Sequence, residues 1–185
     1  MHVNRLPLMF LLAVLLFTLA AFTAPFVLQP HTVGGLDGRA WHVDYEERWQ
    51  EMPVLPRLAY TAGDMVCHQK HERSYSLHGN QMPVCARDVG LLLGLTGGFA
   101  LALAATPAAT FQGTFRAMLP FVQSRTIAFA LLAGLLLPLP LDGFAQLLSG
   151  YESVNVLRTA TGLLFGFGVA LLASLFLVTD PRRYR

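Results

Sequence analysis

Residues able to bind a metal ion crowd into one short stretch: Cys67, His68, His71, Cys85 and Asp88. Thiolate, imidazole and carboxylate are the usual zinc donors. Cys85 and Asp88 are three positions apart, close enough to serve one ion from one helical turn. Cys67, His68 and His71 gather at the other end of the stretch. Two Cys, one His and one carboxylate would complete a tetrahedral zinc set. Two other readings of the cysteines stay open. They lie 18 positions apart, and on an oxidising side of a membrane they would be expected to join as a disulfide. Closing that loop would contribute about 3 kcal/mol. Alternatively, one thiol is activated by Arg87 or by the N-terminus of the following helix. A zinc cofactor is expected only if Cys67 and Cys85 are not bonded to each other.

A second set could recognise a ligand. Arg73, Arg87 and Arg158 are cations, Asp142 and Glu152 are anions, and Gln81, Gln146 and Asn155 add neutral hydrogen-bonding groups. Glu152, Asn155 and Arg158 recur every three positions, which a helix turns towards one face. Arginine and carboxylate groups at such boundaries either tie loops to a bundle or frame a pocket for an anionic headgroup or a divalent ion.

The surrounding chain must hold these groups at a membrane. Of 185 residues, 54% are hydrophobic and only 13% charged, with a mean hydropathy of +0.50. Soluble domains carry about 25% charged residues. A net charge of +2 gives no electrostatic footprint for nucleic acid, so the expected partners are the lipid bilayer and, beyond it, other membrane subunits. Four uncharged stretches stand out: Leu6–Pro30, Val89–Phe115, Thr126–Leu141 and Thr159–Thr179. About 20 helical residues cross the hydrocarbon core. The third stretch is short, contains Pro138 and Pro140, and would borrow residues from Phe121–Arg125. The first could be a secretory signal, but its apolar run exceeds the about 7–15 residues of a signal core, so a retained helix is expected.

The fold class expected is an all-α integral membrane protein with four transmembrane helices. Residues 1–30 would supply the first helix, 31–88 a long extracytoplasmic segment between helices one and two, and 89–185 a three-helix bundle with short loops. Arg5, Arg116, Arg125, Arg182, Arg183 and Arg185 would all share one side. The positive-inside rule makes that side, with both termini, cytoplasmic in a multi-pass cell-membrane protein. Arg87 runs against this rule. No stretch has a charge at its centre, which speaks against an ion path along the bundle.

The segment His31–Asp88 holds both Cys, both Trp, five of the six His and eight of the eleven acids. Trp41, Tyr45 and Trp49 recur every four residues, so a helix would align them. That face would lie at the membrane interface or pack on the protein's own surface. His31 and His78 read as solvated loop residues, and His78-Gly79-Asn80 is compatible with a short hairpin within residues 72–84. The pairs Gly90/Gly94 and Gly162/Gly166 have the four-residue spacing that lets membrane helices approach closely.

The run from Cys67 to Gly90 is similar to the signature of a family of small predicted membrane proteins catalogued only as a domain of unknown function. Cys67, His68, Gln69, Arg73, Ser74, Gln81, Pro83, Cys85, Arg87 and Gly90 match that pattern, and Asp142, Gly143, Gln146, Asn155, Arg158, Thr161 and Gly162 match its later blocks. Some relatives resemble this chain with Cys in place of Asp88, which favours a metal ligand there. The resemblance implies membership, not a reaction.

No G-x-S-x-G, phosphate loop, HExxH or dinucleotide fingerprint is present. The expected function is therefore a metal- or ligand-binding membrane protein, or an accessory subunit of a membrane complex. The alternative is an enzyme acting on a lipid or isoprenoid headgroup at the outer interface. There Asp88, Asp142 and Glu152 would hold a divalent cation, Arg87 and Arg158 would steady the anion, and His68 would be the base. A thiol–disulfide carrier is weaker, for the cysteines do not form a C-x-x-C pair.

Overall fold

The computed structural model describes residues 4–180. Arg182, Arg183 and Arg185, expected on the cytoplasmic side, lie outside the described residues.

Helix α1, Arg5–Val27, is apolar on every face and buries only a few small or polar residues, among them Thr18, Ala21 and Ala24. Such a helix suits a lipid surround. Helices α2 (Glu46–Gln50) and α3 (Val54–Val66) follow. A 3-10 turn at His71–Arg73 leads into strands β1 (Ser74–Leu77) and β2 (Asn80–Cys85). Then come α4 (Ala86–Leu103), α5 (Phe111–Met118), α6 (Arg125–Leu136), α7 (Pro138–Leu148) and α8 (Asn155–Val178).

Three helices, α1, α4 and α8, are long and apolar enough to cross a bilayer, and α6 with α7 forms a pair bent by 41°. The third uncharged stretch is thus a broken element rather than a straight span. Pro138, at the first position of α7, lacks the N–H that would continue α6 but is well placed to start a new helix. The uncharged stretch Val89–Phe115 is also divided. Helix α4 ends at Leu103, and α5 starts afresh with the Thr110 hydroxyl accepting from the Gly113 N–H at 3.1 Å.

The all-α expectation needs correcting for one antiparallel hairpin, with Ser76 opposite Gln81 and Leu77 opposite Asn80. His78 and Gly79 both have positive φ, 51° and 73°, the backbone a tight two-residue turn requires. Every residue of β2 is buried, because α1, α3 and α4 all pack against it. The aromatic periodicity fails as a helix signal. Only Glu46–Gln50 is helical there. Trp41 has φ 66° and is 85% exposed, whereas Trp49 is fully buried and stacks on Tyr60 at 5.0 Å. Asp64 organises that small core by accepting from Trp49 Nε1 at 2.8 Å and the Tyr45 N–H at 3.0 Å.

The α4–α8 pair is the tightest part of the bundle. A Cβ on Gly90 would overlap the Thr159 carbonyl, and one on Gly162 would overlap the Arg87 carbonyl. Backbones pack directly where side chains would hold them apart. Thr159 Oγ1 bridges the two helices by donating to the Ala86 carbonyl at 3.0 Å.

Candidate functional site

Both cysteines sit at helix ends. Cys67 closes α3, with its N–H donating to the Gly63 carbonyl at 2.8 Å. Cys85 is the residue before α4, and Asp88 lies in the first turn of that helix. Strand β2 runs straight into α4 and carries Cys85 beside Cys67. One donor atom each from Cys67, Cys85 and Asp88 lies within 4.8 Å of the others, with both cysteines buried and Asp88 half-buried. Both cysteines are free thiols in this structure.

The hydrogen bonds around the sulfurs have a direction. The N–H groups of Gln69 and Cys85 donate to Cys67 Sγ at 3.4 and 3.3 Å, and Cys85 Sγ donates to Asp88 Oδ2 at 3.1 Å. Gln69 reaches its position through a left-handed backbone, φ 45°. Its side chain is fully buried and donates to the Pro83 carbonyl at 2.7 Å, locking the loop onto β2. Backbone donors favour a thiolate. The hydrogen bond with Cys85, burial and the nearby Asp88 charge act the other way and push the Cys67 thiol far up. Among the described residues no ion pair involves Asp88. A cation among these three groups would relieve the conflict.

His68 lies beside the cluster without joining it. Its Nδ1 accepts from the Lys70 N–H at 3.3 Å. Burial lowers its pKa, against the field of Asp88. His71 is held elsewhere: it is exposed, and its Nδ1 lies 3.1 Å from Gln81 Oε1. Its ring nitrogens are not among the donors that converge with the sulfurs. Gln81, expected as a ligand contact, is a buried tie. Its Oε1 accepts from the Leu36 N–H at 3.1 Å and its Nε2 donates to the Gln69 carbonyl at 2.6 Å.

The remaining predicted residues meet in one network drawn from four segments. Arg87 pairs with Asp142 at 2.5 Å. Gln146 Nε2 donates to the same carboxylate at 3.0 Å, and Arg158 donates to Gln146 Oε1 at 3.1 Å and to Asn155 Oδ1 at 3.3 Å. Arg73 pairs with Glu152 at 3.1 Å. Arg158 is 4% exposed, and its nearest carboxylate, Glu152, is 3.9 Å away. Tyr151, missed in the sequence reading, points its hydroxyl at Asp142 Oδ1 from 3.5 Å. Its position next to Glu152 was the available signal. The Asp88 charge opposes the lowering of the His68 pKa, and the charges of Arg73, Lys70 and Arg87 add to it.

Residues 67–172 match the model of a family described as "Predicted membrane protein (DUF2085)". The chain belongs to the DUF2085 family. Cys67, Cys85, Asp88 and the whole arginine network fall inside the DUF2085 match, whereas Trp49, Tyr60 and Asp64 fall before it. An uncharacterized protein of Methanothermobacter thermautotrophicus is 38% identical over 108 residues, 58% of this chain and 83% of that one. An uncharacterized protein of Methanocaldococcus jannaschii, MJ1492, is 28% identical over 159 residues, 86% of this chain and 84% of its own length. No solved structure matches the chain.

Proposed function

We propose that this protein is a four-span membrane protein that binds one zinc-type ion at the hairpin end of its bundle. Cys67, Cys85 and Asp88 are the ligands. The fourth position stays open to a small ligand or water, with the neutral His68 nearby; its Nδ1 accepts from the Lys70 N–H, so its proton sits on Nε2 as a donor. Three protein donors with one open position are the pattern of reactive rather than purely structural zinc. The observation that carries this reading is the convergence of two buried thiols and a half-buried carboxylate within 4.8 Å, with two backbone N–H groups already aimed at one sulfur. Tetrahedral zinc at about 2.3 Å from each sulfur would set the sulfurs about 3.5–4 Å apart, which such a cluster accommodates.

In this reading α6 and α7 together make one bent span, and the hairpin end is extracytoplasmic. Support comes from the opposite end, where Arg5, Arg116 and Arg125 start or close helices α1, α5 and α6. Labelling a Ser76→Cys variant on intact cells with an impermeant thiol reagent reads the orientation directly. Modification only after lysis would reverse it.

A second reading, an enzyme acting on an anionic headgroup, draws on Arg158. The buried guanidinium hydrogen-bonds two neutral amides and has one carboxylate, Glu152, at 3.9 Å, which leaves it donors for an anion.

Elemental analysis of the full chain, purified under reducing conditions, paired with a thiol count after unfolding, tests the proposal. We expect zinc in a one-to-one ratio and two titratable thiols, with zinc bound more weakly in Cys67→Ser and Asp88→Ala. No metal together with no free thiol would replace the site by a disulfide.

A further inference from the structure

The opposite end of the bundle carries a cavity that the metal site does not use. It measures about 510 Å³ and lies between α5, α6 and α8, with Thr110, Gln112 and Arg125 among otherwise apolar walls. Helix α6 buries no residue fully, so the space beside it is unfilled by protein. Phe129 and Phe176 flank this space and are 73% and 66% exposed, which fits a cavity opening sideways towards lipid. The lining runs along α6 from Arg125 to Leu132. Seven residues of rise give about 10 Å, a large part of one leaflet's about 15 Å of hydrocarbon.

The cavity lining carries one charged residue, Arg125. Arg125 Nε donates to the neutral Gln112 Oε1 at 3.2 Å, and Arg116 donates to the Gln123 carbonyl. Neither arginine takes part in an ion pair among the described residues. We propose that this cavity binds an anionic phospholipid of the adjoining leaflet, with one acyl chain between α5, α6 and α8 and the phosphate on Arg125. An apolar slot with a single cation in its lining selects an amphiphile with a negative head, and zwitterionic lipid would fill the slot without that preference.

The test is native mass spectrometry of the full chain, released from vesicles of equal parts phosphatidylglycerol and phosphatidylcholine. Phosphatidylglycerol should be retained over phosphatidylcholine by about fivefold, the size of one arginine–anion contact near a membrane surface. Arg125→Gln should remove the preference, and Arg125→Lys should restore most of it. Ala128→Trp, filling the slot, should remove retention of both lipids while leaving zinc content unchanged. Equal retention of the two lipids by the unaltered chain, or an undiminished preference in Arg125→Gln, would overturn the proposal. So would unchanged retention in Ala128→Trp.

Discussion

Arg87 and Asp142 form a 2.5 Å ion pair across 55 positions of sequence, with the Asp142 side chain only 5% exposed. The pair joins the start of α4 to α7, and so fixes the bent helix pair to the helix that carries Asp88. Asp142 also holds Gln146, which holds Arg158.

Replacing Asp142 by Asn should strand Arg87 beside a neutral amide. Breaking a buried ion pair costs about 3–5 kcal/mol, and the partial exposure of Arg87 places this case at the low end. Thermal unfolding in nanodiscs should show the loss, and the double variant Arg87→Met/Asp142→Leu should recover most of it. A single variant as stable as the parent would reduce the pair to a surface contact.

The glycine contacts give a sharper contrast. Gly162→Ala would press a methyl into the Arg87 carbonyl, while Gly134→Ala on α6 meets nothing within 4 Å. Overpacking costs about 1–3 kcal/mol, and a backbone neighbour has little room to yield. Gly162→Ala should lower the melting temperature and the metal content together, because it parts α4 from α8. Gly134→Ala should change neither. Equal behaviour of the two variants would contradict the packing argument.

Gln81 is predicted to matter for folding rather than ligand affinity. Gln81→Leu would leave the Leu36 N–H and the Gln69 carbonyl without their partner, at about 1–3 kcal/mol for each buried group. Unfolding experiments should show that loss in metal-free protein too. A variant of full stability but weakened metal binding would return Gln81 to the site.

The raised Cys67 pKa gives a pH dependence with a definite sign. In the metal-free fold this thiol keeps its proton, chiefly through its hydrogen bond with Cys85 and through burial. The unfolded chain releases it near pH 8.5. Above that pH the folded state binds more protons, so stability falls as pH rises, and the contribution is fully present only below it. Metal-free protein should therefore melt at lower temperature as pH climbs from neutral to alkaline, and Cys67→Ala should flatten that slope. Metal affinity should move the other way, since binding expels the proton. Parallel slopes for the two chains would refute the assignment.

The arginine network was legible because polar residues ending long apolar runs are conspicuous, and Gly90, Gly94, Gly162 and Gly166 announced the contact that gathers them. That Cys67, Cys85 and Asp88 lie near one another fits one of three readings the sequence left open, beside a disulfide and an activated thiol, and the histidine expected with them is not in the cluster. The fate of His71 was not legible: it depends on which carbonyl and amide groups Gln81 satisfies, a property of hairpin register that spacing does not encode. The Trp41–Tyr45–Trp49 period misled for a related reason. Asp64 captures Trp49 and Tyr45 from another helix, and this tertiary contact outweighs the local pattern. The break at Pro138 was visible as composition, but its 41° bend was not, since a proline marks where a helix breaks and not by how much.

The most direct test of the central claim is X-ray absorption at the zinc edge on the full chain. The account predicts two sulfur neighbours at about 2.3 Å and lighter oxygen or nitrogen neighbours at about 2.0–2.2 Å, with one sulfur lost in Cys85→Ser. A spectrum with no sulfur shell, unchanged by that substitution, would contradict it.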